Sequence, residues 1–468
     1  MTRSAHTFLS KNKQVAGMAI GAIAMLAMAV PALTQEAPKK DEVFNVTTAI
    51  NPGANTFVSF DISWFDPRLK KYFLADRSNN QIDVINPSTN TNTPIGHGKF
   101  AGVVLNPDGT ANNDKSGPDG VLTVHQDGPN GVTELWVGDS PGKVWVFNAV
   151  TGENILGLNN SISVGGNTRA DELCFDPVDH LIMIASPGED PPFVTFISTT
   201  THQVVTKLTF NGSNGTPDAT GGGLEQCGWS PKTGKFYQNV PQIATNPVIG
   251  GVKAGGVAVI DPKDVHPDPV GAKVKKTLPV DLDDCGLPQG MAIGPNNQIM
   301  LGCNGPSPNG HRNTAMININ SGATVGRFPD LGGADEVWFN EGDGHYFLPS
   351  CNTDCRFPAT GATGPEVLAV IDSSGHRLDS SVVLATKLGN QTGRRAHSVA
   401  ADPDTNQVFV PLPANSGGLA GNDASMCASA PNKVNAPSAS TGCILVFTTT
   451  HDDRSRVADE RGADDNQK

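Results

Sequence analysis

Seven polar residues stand at the start of short apolar segments of this chain, and five of them carry a carboxyl group. These head residues are Asp61, Asp119, Asp171, Glu225, Gln289, Asp335 and His397. Carboxylate and amide oxygens are the ligands that calcium and magnesium prefer in proteins, and an imidazole extends the choice to transition metals. If the fold brings these side chains together, they form a site for a cation or a polar ligand.

The head residues recur at a nearly even spacing. Successive separations are 58, 52, 54, 64, 46 and 62 residues, and no helical pattern lies between them. A period of about 50 residues built from short strands is typical of a β-propeller, whose blades surround a central channel. We therefore predict an all-β fold, a seven-bladed β-propeller, with the head residues at one mouth of the channel.

Each predicted blade repeats one order of strand, tight turn, strand, loop and strand. In the first blade the strands are residues 57–65, 71–76 and 81–86. Asp66-Pro67 forms the turn, a position for which the fixed φ of proline is suited. The last blade lacks a strand at its outer edge. We expect residues 43–48 to supply it, which would close the ring and remove an open sheet edge.

The sequence of the predicted blades resembles that of a known family. Residues 70–85, KKYFLADRSNNQIDVI, are similar to the repeat of the exported YncE-like (YVTN-type) seven-bladed propellers. Related sequences surround the head residues, as in ADEVW at 334–338 and AHSVAADP at 396–403. The resemblance covers residues 57–447 and implies the propeller fold. It says little about function, because propellers serve as scaffolds for many functions.

The two ends of the chain differ in composition from the predicted propeller, residues 57–450. Residues 1–34 combine a basic start, an apolar run and small-residue cleavage sites, as in a secretory signal peptide; an uncleaved anchor is the alternative. Residues 35–56 are then a linker with the closing strand, and residues 451–468 a disordered charged tail. We therefore predict a periplasmic or secreted protein.

Eight cysteines follow the signal segment, and an even number in an exported chain indicates disulfide bonds. Pairing between neighbours is the simplest arrangement, although the sequence leaves the connectivity open. The predicted pairs are Cys174–Cys227, Cys285–Cys303, Cys351–Cys355 and Cys427–Cys443.

The formal net charge of −13 argues against nucleic acid or anionic lipid as the main partner, since both attract clustered lysine and arginine. After the signal segment no stretch is apolar enough to span a membrane. A cation, a neutral small molecule or an envelope protein is a better match for a partner. We expect the protein to be a monomer.

Six long insertions are expected at the same mouth as the head residues. Five connect the second and third strands of a blade, and one precedes blade two. The insertions are residues 96–118, 187–192, 240–255, 304–313, 352–366 and 413–442. Loops elaborated beside a polar ring are a common way for a rigid scaffold to acquire a binding site.

Two interpretations of the head residues stay open. In the first, the ring binds a ligand, and Asp171, Glu225 and Asp335 hold a divalent cation such as calcium. In the second, backbone amides and water satisfy the seven side chains at the mouth of a solvated channel. Converging carboxylates would repel one another unless a cation, a proton or water intervened.

Other charged residues are expected near the ring. Four arginines lie close to the mouth in sequence: Arg77, Arg169, Arg394 and Arg395. They would neutralise the carboxylates or clamp an anionic ligand, and the first role is simpler. Glu172, Gln226 and Glu336 directly follow head residues, and strand alternation predicts that they point away from the axis.

Two functional hypotheses of different class follow. The first is a non-catalytic binding protein that presents the carboxylate-rich mouth to a small ligand, a cation or an envelope partner. The second is a metal-dependent, lactonase-like hydrolase with His397 or Glu225 as the general base. No GxSxG or HExxH motif occurs. The sequence therefore identifies no catalytic residue and leaves open whether the protein is an enzyme.

Overall fold

The computed structural model describes most of the predicted propeller. It covers residues 43–109, 111–126, 131–221, 223–249, 251–305, 312–329, 331–352, 366–373, 383–389, 396–414 and 425–450. The predicted signal segment and charged tail lie outside the described residues, as do Arg394, Arg395 and Cys355. No described helix is long and apolar enough to cross a membrane.

Seven sheets form the blades, which confirms the predicted all-β, seven-bladed propeller. Within these blades the strands pair antiparallel except for one parallel pair in blade seven. Blade one comprises Ser63–Asp66, Lys71–Asp76, Gln81–Asn86 and Thr91–Asn92. Blade two comprises Val121–His125, Thr133–Asp139, Lys143–Asn148 and Ile162–Ser163. Blade three comprises Leu173–Asp176, Leu181–Ser186, Phe193–Ser198 and Gln203–Thr209. Blade four comprises Cys227–Ser230, Lys235–Val240, Gly256–Ile260 and Lys276–Pro279.

Two of the remaining three blades have more than four strands. Blade five comprises Gly286–Gly294, Gln298–Gly305, Thr314–Asn318 and Thr324–Phe328. Blade six comprises Trp338–Asn340, His345–Asn352, Glu366–Asp372 and Val383–Gly389, with Leu331–Gly332 also paired to its second strand. Blade seven comprises Ala400–Ala401, Val408–Leu412, Cys443–Thr450, Val43–Ile50 and Asn432–Val434. Outside the blades, the described residues also form a hairpin, two 3₁₀ turns and one short helix: Val248–Ile249 with Val252–Lys253, Asn113–Lys115, Pro262–Asp264, and Ser425–Ser429.

The hydrophobic core lies between the blades. Phe73 and Val84 of blade one pack in one cluster with Val121 and Trp145 of blade two. Because each sheet is packed against a neighbour on both faces, its middle strands are buried along most of their length. All six residues of Leu181–Ser186 are buried in this way.

The first and last parts of the described chain close the ring together. Val43–Ile50 pairs antiparallel with Cys443–Thr450, and Ala49 lies opposite Leu445. This confirms the predicted closure by an N-terminal strand. The expectation that this strand is the outermost one is wrong, because Asn432–Val434 of the last insertion pairs with its outer edge in parallel.

Three of the predicted disulfide bonds are present. Cys174–Cys227 joins the innermost strands of blades three and four, with the two Cα atoms 5.9 Å apart. Cys285–Cys303 lies within blade five, and Cys427–Cys443 ties the short helix to blade seven. The fourth predicted pair, Cys351–Cys355, extends beyond the described residues.

Candidate functional site

A cavity of about 480 Å³ lies where the innermost strands of the blades begin. Six of the seven head residues line it: Asp61, Asp171, Glu225, Gln289, Asp335 and His397. The seventh, Asp119, is fully buried, and its carboxylate lies close to those of Asp61 and Asp171. The structure therefore brings the head residues together as expected, and their binding of a ligand stays a prediction.

A repeated backbone hydrogen bond positions these residues. The N–H groups of Asp61, Asp119 and Asp171 each donate to a carbonyl of the second strand of their own blade, all at 2.9 Å. The neighbouring blades approach closely here. A Cβ added at Gly120 would lie 2.0 Å from the carbonyl oxygen of Asp171, so only glycine fits beside that head residue.

Arg77 joins the head residues of blades one and two. Its Nε donates to Oδ1 of Asp119 at 3.0 Å, and its Nη2 bonds the carboxylates of both Asp119 and Asp61. Arg77 is 4% exposed and Asp119 is 0% exposed. Since buried charges need a partner, this guanidinium neutralises the carboxylates, as the simpler interpretation of the arginines predicted.

Arg169 makes similar contacts with carboxylates in blade three. Its Nε donates to Oδ2 of Asp171 at 2.6 Å, and its Nη1 donates to Oδ1 of Asp114 at 2.7 Å. Asp114 lies in the 3₁₀ turn Asn113–Lys115 of the first insertion. Asn113 in that turn accepts a hydrogen bond from Nη1 of Arg77 at 3.5 Å. One turn of an insertion therefore contacts both guanidiniums. Nothing in the sequence marks this turn, because the insertions share no periodic pattern.

These ion pairs alter the titration of Asp61 and His397. Burial alone would raise the pKa of Asp61, but the Arg77 guanidinium and a hydrogen bond with His397 hold that pKa well below its usual value. Burial opposes the charged form of His397, yet its pKa is raised because Asp61 and Asp335 stabilise the imidazolium.

The other two aspartates on this side behave differently. Burial raises the pKa of Asp119 well above its usual value, although the Arg77 charge opposes the shift. Burial also raises the pKa of Asp171 to about 6, against the attraction of Arg169. The desolvation of a crowded, enclosed group of carboxylates therefore opposes the pairing with the guanidiniums at these two positions.

The remaining carboxyl groups of the wall belong to blades three, four and six. Nε2 of Gln289 donates to Oε1 of Glu225 at 3.3 Å. Burial and the charge of Asp335 raise the pKa of Glu225 well above its usual value. Burial and the charge of Glu336 do the same for Glu172. Burial raises the pKa of Glu336 too, although its hydrogen bond with Glu172 opposes the shift.

Glu172 and Glu336 line the cavity, so the prediction that they point away from the axis is wrong. The regular strands begin only at Leu173 and Trp338. The backbone of the two glutamates is therefore not pleated, and alternation does not apply to it. Gln226 also precedes its regular strand, and its Oε1 accepts a hydrogen bond from the N–H of Val337 at 3.0 Å. Val337 belongs to blade six, two blades away, so this bond gives no support to a side chain that points away from the axis.

An aromatic stack forms the wall beside His397. The His397 and Phe60 rings lie 4.5 Å apart with an interplanar angle of 8°, and Phe57 stacks on Phe60 at 4.9 Å and 9°. Nε2 of His397 lies 3.5 Å from Oδ1 of Asp61. An imidazolium over an aromatic face is favourable, so the stack supports the charged form of His397.

The predicted metal ligands Asp171, Glu225 and Asp335 all line the cavity. Within the described residues, however, the group of carboxylates whose oxygens lie within 4.8 Å of one another is Asp61, Asp119 and Asp171. Each of these three already bonds a guanidinium. The predicted metal site therefore stays a prediction, and the arginines occupy the nearest alternative.

The comparisons with known proteins bear on the fold. No family model matches the chain, and no curated protein matches its sequence. Among solved structures, U3-55K is similar with a TM-score of 0.52 and 11% identity, over 86% of this chain and 98% of that chain. The RRP9 WD40 repeats give a TM-score of 0.50 and 9% identity, over 87% and 100% of the two chains. Kuenenia stuttgartiensis hydrazine synthase gives 0.50 and 13%, over 81% and 96%. At such low identity these similarities show a WD40-like propeller fold alone.

Proposed function

We propose that this protein is a binding protein that takes a small, positively charged ligand into the cavity at the head residues. The observation that carries the proposal is the excess of acidic over basic groups in the wall. Among the described residues six carboxyl groups line the cavity, whereas the basic groups beside them are two guanidiniums and one imidazole. A cation would compensate the excess of acidic groups, whereas an anion would meet buried carboxyl groups of its own sign.

The size of the cavity and the residues at its rim support the binding of a small ligand. A volume of about 480 Å³ falls in the range of roughly 300–1,000 Å³ found for small-molecule sites. Ala111, Asn113, Asn304 and Pro413 from three of the insertions contribute to the wall. The insertions therefore convert one end of the channel into a walled site, as expected for loops carried on a rigid scaffold.

We also propose that the protein is exported and that it is related to the YncE-like propellers. The three disulfide bonds suit an oxidising compartment, which supports a periplasmic or secreted protein. We take the protein to be a monomer whose insertions also face an envelope partner.

No specific observation in the described residues favours the metal-dependent hydrolase. The carboxylates that lie close enough together to share an ion bond to Arg77 and Arg169. His397 is held towards its imidazolium form by Asp61, and that form cannot accept a proton from water.

A thermal-shift experiment tests the proposal. The melting temperature of the purified protein is measured with putrescine, calcium chloride, citrate or glucose, because a ligand that binds only the folded state raises it by mass action. We expect at least one of the two cations to raise the melting temperature and citrate to leave it unchanged. Stabilisation by citrate alone, or by neither cation, would contradict the proposal.

A further inference from the structure

The cavity has two chemically different halves. The arginine half comprises Asp61, Asp119 and Asp171 with Arg77 and Arg169. Each of its three carboxylates bonds a guanidinium of the protein itself. This half is therefore already provided with cations, and it offers little to a positively charged ligand.

The acidic half comprises Glu172, Glu225, Gln289, Asp335 and Glu336. Among the described residues, no lysine, arginine or histidine forms an ion pair with Glu172, Glu225 or Glu336. Glu172 is 6% exposed and Glu336 is 5% exposed, and both face the cavity. Acidic groups buried to this extent require a proton or a cation beside them. Glu172 and Glu336 share a hydrogen bond, and within the described part of the chain no basic side chain pairs with either.

Two buried hydrogen-bond acceptors at the same cavity are unused. Oε1 of Gln289 and Oδ1 of Asn304 accept no hydrogen bond from any described group, and both residues line the cavity. A buried acceptor without a donor is destabilising. A ligand that brings N–H groups into the acidic half would satisfy these oxygens together with the carboxyl groups.

The spacing of the acidic half does not suit a bare metal ion. Calcium needs several oxygens at about 2.3–2.6 Å. Within the described residues, no three acidic or histidine groups of the acidic half have ligand atoms within 4.8 Å of one another. Acceptors spread further apart suit a branched N–H cation, which reaches several oxygens at once.

Arg77 shows how such a group binds in this ring. Its N–H groups bridge the carboxylates of Asp61 and Asp119, the head residues of adjacent blades. Glu225 and Gln289 are the corresponding head residues of blades four and five. These two are already joined by a hydrogen bond from Nε2 of Gln289 to Oε1 of Glu225 at 3.3 Å. A guanidinium or ammonium group would therefore bind beside the pair and bridge the carboxylate and Oε1 of Gln289, as Arg77 bridges the first two head residues.

We propose that the acidic half binds the ammonium or guanidinium group of an organic ligand, whose N–H groups donate to the Glu225 carboxylate and to Oε1 of Gln289. This inference rests on the proposed function and narrows it from any cation to an organic cation with at least two N–H donors. The walled cavity accommodates the rest of the ligand.

Isothermal titration calorimetry with three probes tests the inference on the unmodified protein. Agmatine carries a guanidinium and an ammonium group, tetramethylammonium is a cation without N–H donors, and calcium chloride supplies a metal ion. We expect agmatine to bind, and tetramethylammonium and calcium to bind at least about tenfold more weakly, since a hydrogen bond to a charged group contributes about 1.5–3 kcal/mol, or roughly tenfold to a hundredfold in affinity.

Variants locate the site. Glu225→Gln removes the ionisable carboxyl group at constant volume, and Gln289→Met removes the amide acceptor. Each is expected to weaken agmatine binding about tenfold or more. The matched control is Glu341→Gln, which alters an exposed glutamate in a turn of blade six and is expected to leave the affinity unchanged. If one variant fails to fold, the other variant and the probe comparison still decide.

The outcomes separate the inference from the proposed function. If calcium binds at the cavity and agmatine does not, the inference is overturned while cation binding stands. Equal binding of tetramethylammonium and agmatine, or agmatine affinity unchanged in both variants, also overturns the inference. If no cation binds, the proposed function itself is wrong.

Discussion

Arg77 and Asp119 form a buried ion pair that joins blade one to blade two at the rim of the cavity. Arg77 directly follows the second strand of blade one, and its Nε lies 3.0 Å from Oδ1 of Asp119, the head residue of blade two. The same guanidinium bonds Asp61. The carboxylates that lie close together at the ring are therefore stabilised by a cation that the chain itself supplies.

Replacement of Arg77 should strongly destabilise the fold. Arg77→Met leaves two carboxylates without their partner, and removing one member of a buried ion pair costs about 3–5 kcal/mol. Urea denaturation measures the loss. Lys70→Met is the control, because Lys70 forms an exposed ion pair with Asp404 that contributes little. A loss for Arg77→Met no larger than that of the control would contradict the assigned role.

His397 should titrate above its usual range. Its raised pKa means that the stabilisation from Asp61 is complete below the unfolded pKa of about 6.5 and is lost as the pH rises through the folded pKa. NMR titration of the imidazole should give a midpoint above 6.5. Asp61→Asn should lower that midpoint, and Asp404→Asn should not. A midpoint that Asp61→Asn leaves in place would show that Asp61 does not hold the proton.

Glu172 and Glu336 should make the fold less stable as the pH rises. Their folded pKa values are raised, so above about pH 4.5 the unfolded chain releases protons that the folded protein retains. The free energy of unfolding should therefore fall between pH 5 and pH 8. The free energy of unfolding of the double variant Glu172→Gln with Glu336→Gln should fall less steeply with pH, whereas that of Glu341→Gln should match the wild type. Parallel pH profiles for all three proteins would argue against buried acidic groups at these positions.

The closing strand should contribute measurably to stability. Ala49 is fully buried and pairs with a strand on each side, opposite Leu445 and Lys433. Ala49→Pro removes an N–H from the middle of this ladder, and we expect a loss of about 1–3 kcal/mol in urea denaturation. Ala54→Pro, at an exposed loop position, is the control. Equal effects of the two prolines would mean that the ring closes without this strand.

The architecture could be predicted from the sequence because it repeats. The even spacing from Asp61 to His397 was sufficient to place the head residues at one cavity, since each blade has the same geometry. Pairings between cysteines that are neighbours in sequence were predictable for a related reason, as Cys174–Cys227 shows by linking equivalent strands of adjacent blades.

Much of the site chemistry could not be predicted, because it depends on features that do not repeat. Asp114 reaches Arg169 from an insertion, and no period or motif marks its position. Glu172 and Glu336 were misplaced by strand alternation, because the strands start only after them. Which carboxylates the arginines neutralise is likewise a tertiary property, and it decides which half of the cavity is open to a cation.

A crystal structure of the protein grown with agmatine would show whether the cavity holds an N–H cation. We predict density for the ligand in the cavity at the head residues, with an N–H nitrogen within hydrogen-bond distance of the Glu225 carboxylate. Agmatine bound on another surface, with none in this cavity at a concentration that saturates binding in solution, would contradict it.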